Sequence, residues 1–282
     1  MGDENSQTMG LRFIDPRIEL RPFIQSLWLF ESPIGMPPVE TNFSAPDGRP
    51  KLVIPIENSI TITAGGQVQP GYERNLYFVG NRDGVTLLQT SRRKTCFIGI
   101  EFYPHGAYPI FKLPMAEITN RRMPVDVLLP KWGRDVTEIV QNTVRISDRI
   151  DCIQGQLIAL LGKHNPESPI VQFCVESLRK SDGHMPVREL ERRTGYTQRY
   201  LEILFKNQVG LSPKFLARIF RFQRSYRRWA EKRRFDDMKN ELYSHYYDQS
   251  HFTKEFKRMT GFSPEHFRSQ VANEFGRQLA LH

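Results

Sequence analysis

Two stretches near the C-terminal end of the chain carry amide, hydroxyl, carboxylate and cationic side chains at helical spacing. They are Gln198, Arg199, Glu202 and Lys206 in the first stretch, and Gln249, Ser250, Thr253, Lys254, Lys257 and Arg258 in the second. Amides and guanidinium groups form hydrogen bonds to base edges in the major groove, and cations bind phosphate. The chemistry open to these residues is recognition of a nucleic acid by hydrogen bonding and charge.

Both stretches belong to a motif that occurs twice. The copies are Phe205-Lys206 followed by Gly210-Leu211-Ser212-Pro213, and Phe256-Lys257 followed by Gly261-Phe262-Ser263-Pro264. A constant offset of 51 residues relates them, which indicates two copies of one supersecondary unit. The same offset aligns Thr197 with Asp248. Both residue types cap helix N-termini, since their side-chain oxygen accepts a hydrogen bond from an otherwise unpaired backbone N–H.

The motif copies are predicted to be helix-turn-helix units. Apolar residues at helical spacing predict helices at residues 198–208 and 249–259. Shorter helices at 187–194 and 237–244 precede them, and the first ends at Gly195, a residue suited to the left-handed conformation. In a helix-turn-helix the second helix reads bases in the major groove. One copy alone is equally well explained as a helical hairpin with a solvated face, but two copies favour DNA.

A long helix at 213–231 is predicted between the two units. Ser212 is its N-cap and Pro213 its first residue. About nineteen residues at about 1.5 Å each span roughly 28 Å, which is near one turn of B-DNA. The connector could therefore present both reading helices to successive major grooves. Its arginines are either phosphate ligands or a solvated basic face: Arg218, Arg221, Arg224, Arg227 and Arg228.

The distribution of charge agrees with a DNA-binding C-terminal region. The chain has a net charge of +9. Residues 178–282 contain 22 Lys and Arg against 12 Asp and Glu, whereas residues 1–177 contain 18 against 19. A positive excess confined to one region is the electrostatic signature expected for contact with phosphates. A basic patch alone would also suit RNA or an anionic membrane, and the paired helix-turn-helix pattern favours duplex DNA.

At the second unit the chain resembles the AraC/XylS family of bacterial transcription regulators. The resemblance lies in Tyr247-Asp248-Gln249-Ser250-His251-Phe252, Phe256-Lys257-Arg258 and Gly261-Phe262-Ser263-Pro264. It covers roughly residues 169–282, and it implies two helix-turn-helix units joined by one long helix. The sequence departs from the family at four positions: Glu191 and Glu241 replace alanine, His245 replaces the turn glycine, and Ile203 stands where arginine is frequent.

Within these units the polar residues divide into two predicted groups. Base contacts are assigned to Gln198, Arg199 and Glu202 in the first unit and to Gln249, Ser250, Thr253 and Lys254 in the second. Phosphate contacts are assigned to Lys206, Lys257 and Arg258. The predicted boundaries are 187–209 for the first unit, 213–231 for the connecting helix and 237–259 for the second unit.

The N-terminal half is predicted to be a small antiparallel β-barrel or sandwich. Short β-branched or aromatic runs separated by turn residues occur at 51–56, 59–63, 75–79, 85–90 and 95–102. Helices follow at 135–144 and 147–161, and 163–168 is a predicted linker. The fold class is therefore α+β, with a domain at 1–165 and an all-α domain at 169–282. Trp28, Tyr77, Phe78, Phe97 and Tyr103 are either effector-pocket or core residues.

This order of elements is similar to that of AraC-type regulators with a cupin-like sensor domain. The resemblance implies a small-molecule effector, a homodimer, promoter DNA and RNA polymerase as partners, and activation of transcription. The alternative is a constitutive or architectural DNA-binding protein whose N-terminal domain only mediates association. An effector-dependent shift in DNA affinity distinguishes the two.

Enzyme and membrane functions have little support in the sequence. It contains no Walker loop, Rossmann glycine fingerprint, zinc-type histidine pair or nucleophile elbow, so no catalytic residue, cofactor or metal is expected. AraC-like modules also occur fused to DNA-repair methyltransferases, but the three dispersed cysteines cannot form the zinc-bound cluster of those enzymes. Cys96, Cys152 and Cys174 are expected to be buried free thiols. With no signal peptide or apolar span, a cytoplasmic protein is expected.

Overall fold

The computed structural model describes residues 10–36, 42–73, 75–162, 169–232, 235–244, 248–270 and 274–281. Its strands are β1 (Gly10–Ile14), β2 (Ile24–Ser32), β3 (Phe43–Ser44), β4 (Lys51–Glu57), β5 (Ile60–Ala64), β6 (Gln67–Gln69), β7 (Tyr77–Val79), β8 (Thr86–Thr90), β9 (Thr95–Phe102) and β10 (Arg122–Pro124). The helices of the N-terminal half are α1 (Ala107–Phe111), α2 (Met115–Ile118), α3 (Val125–Leu128), α4 (Pro130–Asn142) and α5 (Ile146–Leu161). Those of the C-terminal half are α6 (Pro169–Lys180), α7 (Val187–Thr194), α8 (Gln198–Gln208), α9 (Pro213–Lys232), α10 (Phe235–Tyr243), α11 (Gln249–Thr260), α12 (Pro264–Gln270) and α13 (Glu274–Leu281).

The strands form a sandwich of two antiparallel sheets. One sheet has the order β1-β2-β9-β4-β7-β10 and the other the order β3-β8-β5-β6. Because side chains alternate between the faces of a strand, Trp28, Phe30 and Phe97 face inward and pack with Ile60 and Ile62 of the second sheet. The predicted antiparallel sandwich is confirmed. The described strands form two sheets and not one closed barrel.

The outer face of the larger sheet is covered by helices. Alternate residues of β2 and β9 join a second core with helices α1 to α5, including Leu27, Leu29, Ile98, Ile100, Val136, Ile153 and Leu157. Strand β9 is consequently buried along its whole length, as expected for a central strand with both faces covered. This core fixes the sheet that carries the inward-facing residues.

The C-terminal helices build a third core around α9. This core contains Leu201, Phe205, Phe222 and Phe256, and it also takes in Phe43 from β3. The 20 residues of α9 span about 30 Å. The two halves of the chain therefore pack against each other through apolar contacts. Among the described residues, no helix is long and apolar enough to cross a membrane.

The predicted helices of the C-terminal half agree closely with the structure. Helices α7 and α8 have the predicted bounds, and α9 and α11 each extend one residue further. Helix α10 begins two residues earlier than predicted and ends one residue earlier. The predicted linker at 163–168, together with His245 and Tyr247, lies outside the described residues.

Candidate nucleic-acid interface and sandwich cavity

Helix α8 presents a polar face to solvent because its apolar face is anchored in the helical core. Thr197 Oγ1 accepts a hydrogen bond from Tyr200 N at 3.3 Å, so the predicted N-cap is present. Leu201 and Phe205 are fully buried. Three of the predicted contact residues, Gln198, Arg199 and Lys206, are exposed, while Glu202 is half-buried. The helix can therefore offer these side chains to an external partner.

Two glutamates organise the start of α8. Gln198 Nε2 donates to Glu202 Oε1 at 3.4 Å, so these two candidate base contacts are held together. Glu191 of α7 accepts a hydrogen bond from Gln198 N, also at 3.4 Å. The glutamate that replaces alanine at position 191 thus gives a second acceptor to the N-terminus of α8.

Helix α11 repeats the arrangement of α8. Asp248 Oδ1 accepts a hydrogen bond from His251 N at 2.7 Å, which confirms the second predicted cap. Phe252 and Phe256 are buried. The residues of the opposite face that are exposed are Gln249, Ser250, Lys254 and Lys257, and Thr253 is half-buried.

Arg258 differs from the other predicted phosphate ligands because it is engaged within the protein. Its Nη2 lies 2.7 Å from Asp83 Oδ2, and its Nε donates to Asp83 O at 2.9 Å. The guanidinium also lies over the Phe215 ring, 4.9 Å from the centroid. A phosphate contact by Arg258 stays a prediction, and it requires this ion pair to open.

Three further exposed residues at α8 are not among the predicted contact residues. Tyr196 and Tyr200 are stacked with ring centroids 5.0 Å apart, and both are exposed. Ile203 is 57% exposed. Aromatic and aliphatic side chains in this position can contact a thymine methyl group. For Tyr200 and Ile203 the signal was available, because both fall on the polar side of the helical pattern of α8, whereas Tyr196 lies before the helix.

All five arginines of the connecting helix have partners inside the protein. Arg218 pairs with Glu255, Arg221 donates to Gly183 O, Arg224 pairs with Asp182 and Glu241, Arg227 donates to Ala280 O, and Arg228 pairs with Glu241. These arginines therefore form neither a row of free phosphate ligands nor a solvated basic face, the two alternatives predicted from the sequence. The Glu241 carboxylate lies 3.1 Å from both Arg224 and Arg228. It ties α10 to α9.

Residues 80–85, here called the bridging loop, connect the sandwich to the ends of α8 and α11. Asn81 Nδ2 donates to Val209 O at 2.7 Å, directly after α8. Asp83 pairs with Arg258 of α11, and Val85 N donates to Arg258 O at 3.1 Å. One short loop of the N-terminal domain thus contacts the C-terminal ends of both candidate reading helices.

A cavity of about 90 Å³, here called the sandwich cavity, lies between the sheets and α13. Its apolar wall includes Trp28, Val53, Ile60, Ile62, Leu88, Phe275 and Leu279. Trp28 is the only one of the five predicted aromatic candidates on this wall. Phe78 and Phe97 are core residues, and the Arg122 guanidinium lies over the Tyr77 ring. Phe275 of α13 packs edge-on against Trp28 and Phe30, with ring centroids 6.1 Å and 5.5 Å apart respectively.

A buried ionic cluster lies beside the cavity. Arg49 Nη1 is 3.0 Å from Glu101 Oε2, and Lys51 Nζ is 2.5 Å from Asp47 Oδ2 and 3.5 Å from Glu101 Oε1. Burial alone raises the pKa of Glu101, but Lys51 and Arg49 outweigh burial and hold that pKa below its ordinary value. Asp47 and Glu101 therefore act as fixed counter-ions to buried cations.

The cysteines are free thiols in different environments. Cys96 and Cys174 are buried, and burial raises the pKa of each to about 11. The prediction for Cys152 is wrong, since Cys152 is exposed on the solvent face of α5. Among the residues that the structure describes, no three His, Cys, Asp or Glu side chains are grouped so as to hold a metal ion.

Sequence comparison gives one family match, a domain of unknown function (DUF6597) over residues 12–124. No protein of curated function matches the chain. The match covers the sandwich and leaves the helical region unassigned.

Several solved structures have a similar arrangement. ToxT from Vibrio cholerae O395 has 12% identity and a TM-score of 0.44, over 86% of this chain and 98% of that one. Unsaturated fatty acid bound wild-type ToxT from Vibrio cholerae strain SCE256 has 10% identity and a TM-score of 0.45, over 93% and 99%. The AraC-like transcriptional activator CuxR has 12% identity and a TM-score of 0.26, over 74% and 84%.

Proposed function

We propose that this protein is a sequence-specific DNA-binding transcription regulator of the AraC type. The observation that carries the proposal is the pair of capped helices, α8 and α11, whose polar faces are exposed and which are joined by the 20-residue helix α9. In this role α8 and α11 read bases in adjacent major-groove segments. The base-contact and phosphate-contact assignments made from the sequence are retained as part of the proposal.

The N-terminal domain is proposed to be the sensor, with its boundary to the DNA-binding domain at 165–169. The sandwich cavity supports this role, because it is mostly apolar and bordered by residues of both halves of the chain. The fatty acid bound by ToxT is a property of ToxT, and by analogy the effector here is a small organic molecule. The proposal further holds that the protein is a homodimer in the cytoplasm, and that it activates transcription through contact with RNA polymerase.

Selection of preferred duplexes from a random DNA library by the full-length protein tests this function. We expect enrichment of a site with two short elements about one helical turn apart, since α9 separates the readers by about 30 Å. A palindrome of two such sites would support the homodimer. Binding of all duplexes with equal affinity would contradict sequence-specific regulation and would favour an architectural protein.

A further inference from the structure

Arg82 of the bridging loop is a buried cation with unused hydrogen-bond donors. It is 9% exposed and lies on the wall of the sandwich cavity. Its Nη1 donates to Asn120 O, while Nε and Nη2 have no hydrogen-bond partner among the described residues. Leaving charged donors buried and unpaired is costly, so such groups usually meet a partner in the functional state of a protein.

The charge of Arg82 is offset only in part within the protein, by the adjacent Asp83, whose carboxylate forms its ion pair with Arg258. The other cations of the wall, Arg49 and Lys51, are paired with Glu101 and Asp47. Arg122 donates to the carbonyls of Ile60 and Gln69. In the part of the chain that the structure describes, no carboxylate forms an ion pair with Arg82 or Arg122. Burial and the nearby Arg122 lower the pKa of Arg82 to about 10, so the side chain remains a cation at neutral pH.

The remainder of the cavity wall favours a ligand whose non-charged part is apolar. It is aliphatic and aromatic, with Val53, Ile62 and Leu88 from the strands and Phe275 from α13. An engineered cavity that binds benzene has a volume of about 150 Å³, so 90 Å³ suits an apolar group of about four carbons. A larger apolar group would fit only if the Phe275 side chain moved out of the cavity wall.

The position of Arg82 in the chain connects this cavity with DNA binding. Its neighbour Asn81 donates to Val209 O at the end of α8, and its other neighbour Asp83 pairs with Arg258 of α11. A shift of the Arg82 backbone would therefore displace Asn81 and Asp83 and change both contacts. The ion pair of Asp83 and Arg258 is half-exposed on both sides, and exposed pairs contribute little to stability, so it can open readily.

We propose that the sandwich cavity binds a small organic anion with an apolar body, that Arg82 holds its carboxylate-type head, and that binding releases Arg258 from the bridging loop. The ligand site stands on the cavity and on the unpaired donors of Arg82. The regulatory step rests on the proposed function, because it is expressed as a rise in DNA affinity.

A head-group series tests the ligand class. Pentanoate, 1-pentanol and pentylamine share one apolar chain and differ in charge, and their binding to the full-length protein is measured by isothermal titration calorimetry. We expect pentanoate to bind and the alcohol and amine to bind at least tenfold more weakly. Binding of the alcohol with the affinity of pentanoate, or no binding of pentanoate at millimolar concentration, would overturn the anion site.

Substitutions at Arg82 locate the binding. Arg82→Gln removes the charge and should weaken pentanoate binding about tenfold to a hundredfold, whereas Arg82→Lys should retain part of it. The exposed neighbour Arg121→Gln is the matched control and should bind like the natural protein. Thermal denaturation checks that each variant is folded. If Arg82→Gln is folded and binds pentanoate unchanged, the assignment of the head group to Arg82 is wrong. If Arg82→Gln does not fold, Arg82→Lys is compared with Arg121→Gln, and equal pentanoate affinities of these two variants would also show that the assignment is wrong.

The regulatory step is tested with a duplex recovered by library selection. Pentanoate should raise the affinity of the natural protein for this duplex by about fivefold or more, the lower end of measured couplings between sites. Asp83→Asn removes the ion pair and leaves only the hydrogen bond from Arg258 Nε to Asp83 O, so pentanoate should still bind but should raise DNA affinity less than in the natural protein. Pentanoate binding without any effect on DNA would refute the regulatory step alone. Failure to obtain a specific duplex would refute the proposed function and leave the ligand site standing.

Discussion

Arg258 Nη2 lies 2.7 Å from Asp83 Oδ2, so an arginine of the second candidate reading helix is held by a carboxylate of the sandwich domain. Both side chains are partly exposed, at 44% and 40%. An ion pair of this kind contributes at most about 1 kcal/mol. In the proposed function a DNA phosphate would compete with Asp83 for Arg258, and this contact would make DNA binding sensitive to the position of the bridging loop.

Replacing Asp83 should free Arg258 for phosphate. We expect Asp83→Asn to increase affinity for all duplexes alike by about two- to fivefold, the equivalent of roughly 0.5–1 kcal/mol, and to add about one unit to the salt dependence. Fluorescence anisotropy at several salt concentrations measures both quantities. Asp15→Asn, a substitution of an exposed aspartate in the N-terminal domain, corrects for general charge effects. Equal behaviour of the two variants would show that Arg258 does not contact phosphate.

The two classes of DNA contact should respond differently to truncation. Arg199→Ala should relax sequence preference at a cost of roughly 1–3 kcal/mol, because it removes a base contact. Lys257→Ala should weaken binding to specific and unrelated duplexes equally and lower the salt slope by about one. Titration of both variants with a selected and a scrambled duplex distinguishes these results. Equal losses on both duplexes for both variants would show that the roles are misassigned.

The buried ionic cluster should be essential for the stability of the sandwich. Glu101→Gln leaves Arg49 and Lys51 without their shared carboxylate, so we expect the free energy of unfolding to fall by about 3–5 kcal/mol. Urea denaturation at pH 7 measures this. The control is Glu57→Gln, which removes an exposed partner of Lys94 and should cost at most about 1 kcal/mol.

The same cluster should make stability depend on pH. Since the pKa of Glu101 is lower in the folded than in the unfolded protein, its stabilisation is present above the unfolded pKa of about 4.3 and is lost as the pH falls through the folded value. Glu101→Gln should lack this component. If the natural protein and Glu101→Gln lost stability in parallel between pH 5 and pH 3, the ionised cluster would not be a source of stability.

Phe275 should link the helical domain to the sandwich. It is 2% exposed and packs against Trp28, Phe30 and Phe97, so Phe275→Ala should lower the free energy of unfolding by about 3–5 kcal/mol. The space it vacates should bind benzene, which would raise the melting temperature of the variant only. Phe173→Ala, at a phenylalanine that is 42% exposed, is the control. A small effect equal to that of the control would contradict the packing described here.

The motif glycine Gly210 should tolerate substitution less well than the turn glycine Gly195. Both have positive φ, 83° and 73°, so alanine is strained at either position. A Cβ at Gly210 would lie 2.3 Å from Thr119 Oγ1, whereas nothing lies within 4 Å at Gly195. We expect Gly195→Ala to cost about 1 kcal/mol and Gly210→Ala clearly more, with loss of the hydrogen bond from Thr119 to Gly210 O. Equal costs in thermal denaturation would show that α8 does not contact α2 this closely.

The helical half could be predicted well from the sequence because its signals are local. Caps at Thr197 and Asp248, the left-handed Gly195 and the spacing of Leu201 and Phe205 all act within one or two helical turns. The strands were predicted only in part. Strand β9 has the predicted bounds, because its β-branched and aromatic run directly follows the turn residues at 91–94. Strand β2 was missed because Leu27 to Phe30 is a continuous apolar run with no polar alternation.

Contacts between distant parts of the chain could not be predicted. The pairing of Asp83 with Arg258 joins residues 175 apart, and the carbonyl partners of Arg227 and Arg221 depend on how α9 packs. The sandwich cavity likewise combines strand residues with Phe275 of α13. Charge, periodicity and capping residues predict where helices and strands lie in the sequence, but they do not predict which helices and strands contact each other in the fold.

The most direct test of two reading helices is library selection repeated with one helix disabled at a time. One variant replaces Gln198, Arg199 and Glu202 with alanine, and the other replaces Gln249, Ser250 and Lys254 with alanine. All of these positions lie on the polar faces of α8 and α11, so folding should be retained. If both helices read bases, each variant loses preference at one element of the site and keeps the other. Recovery of the complete site by both variants would contradict base reading by both helices.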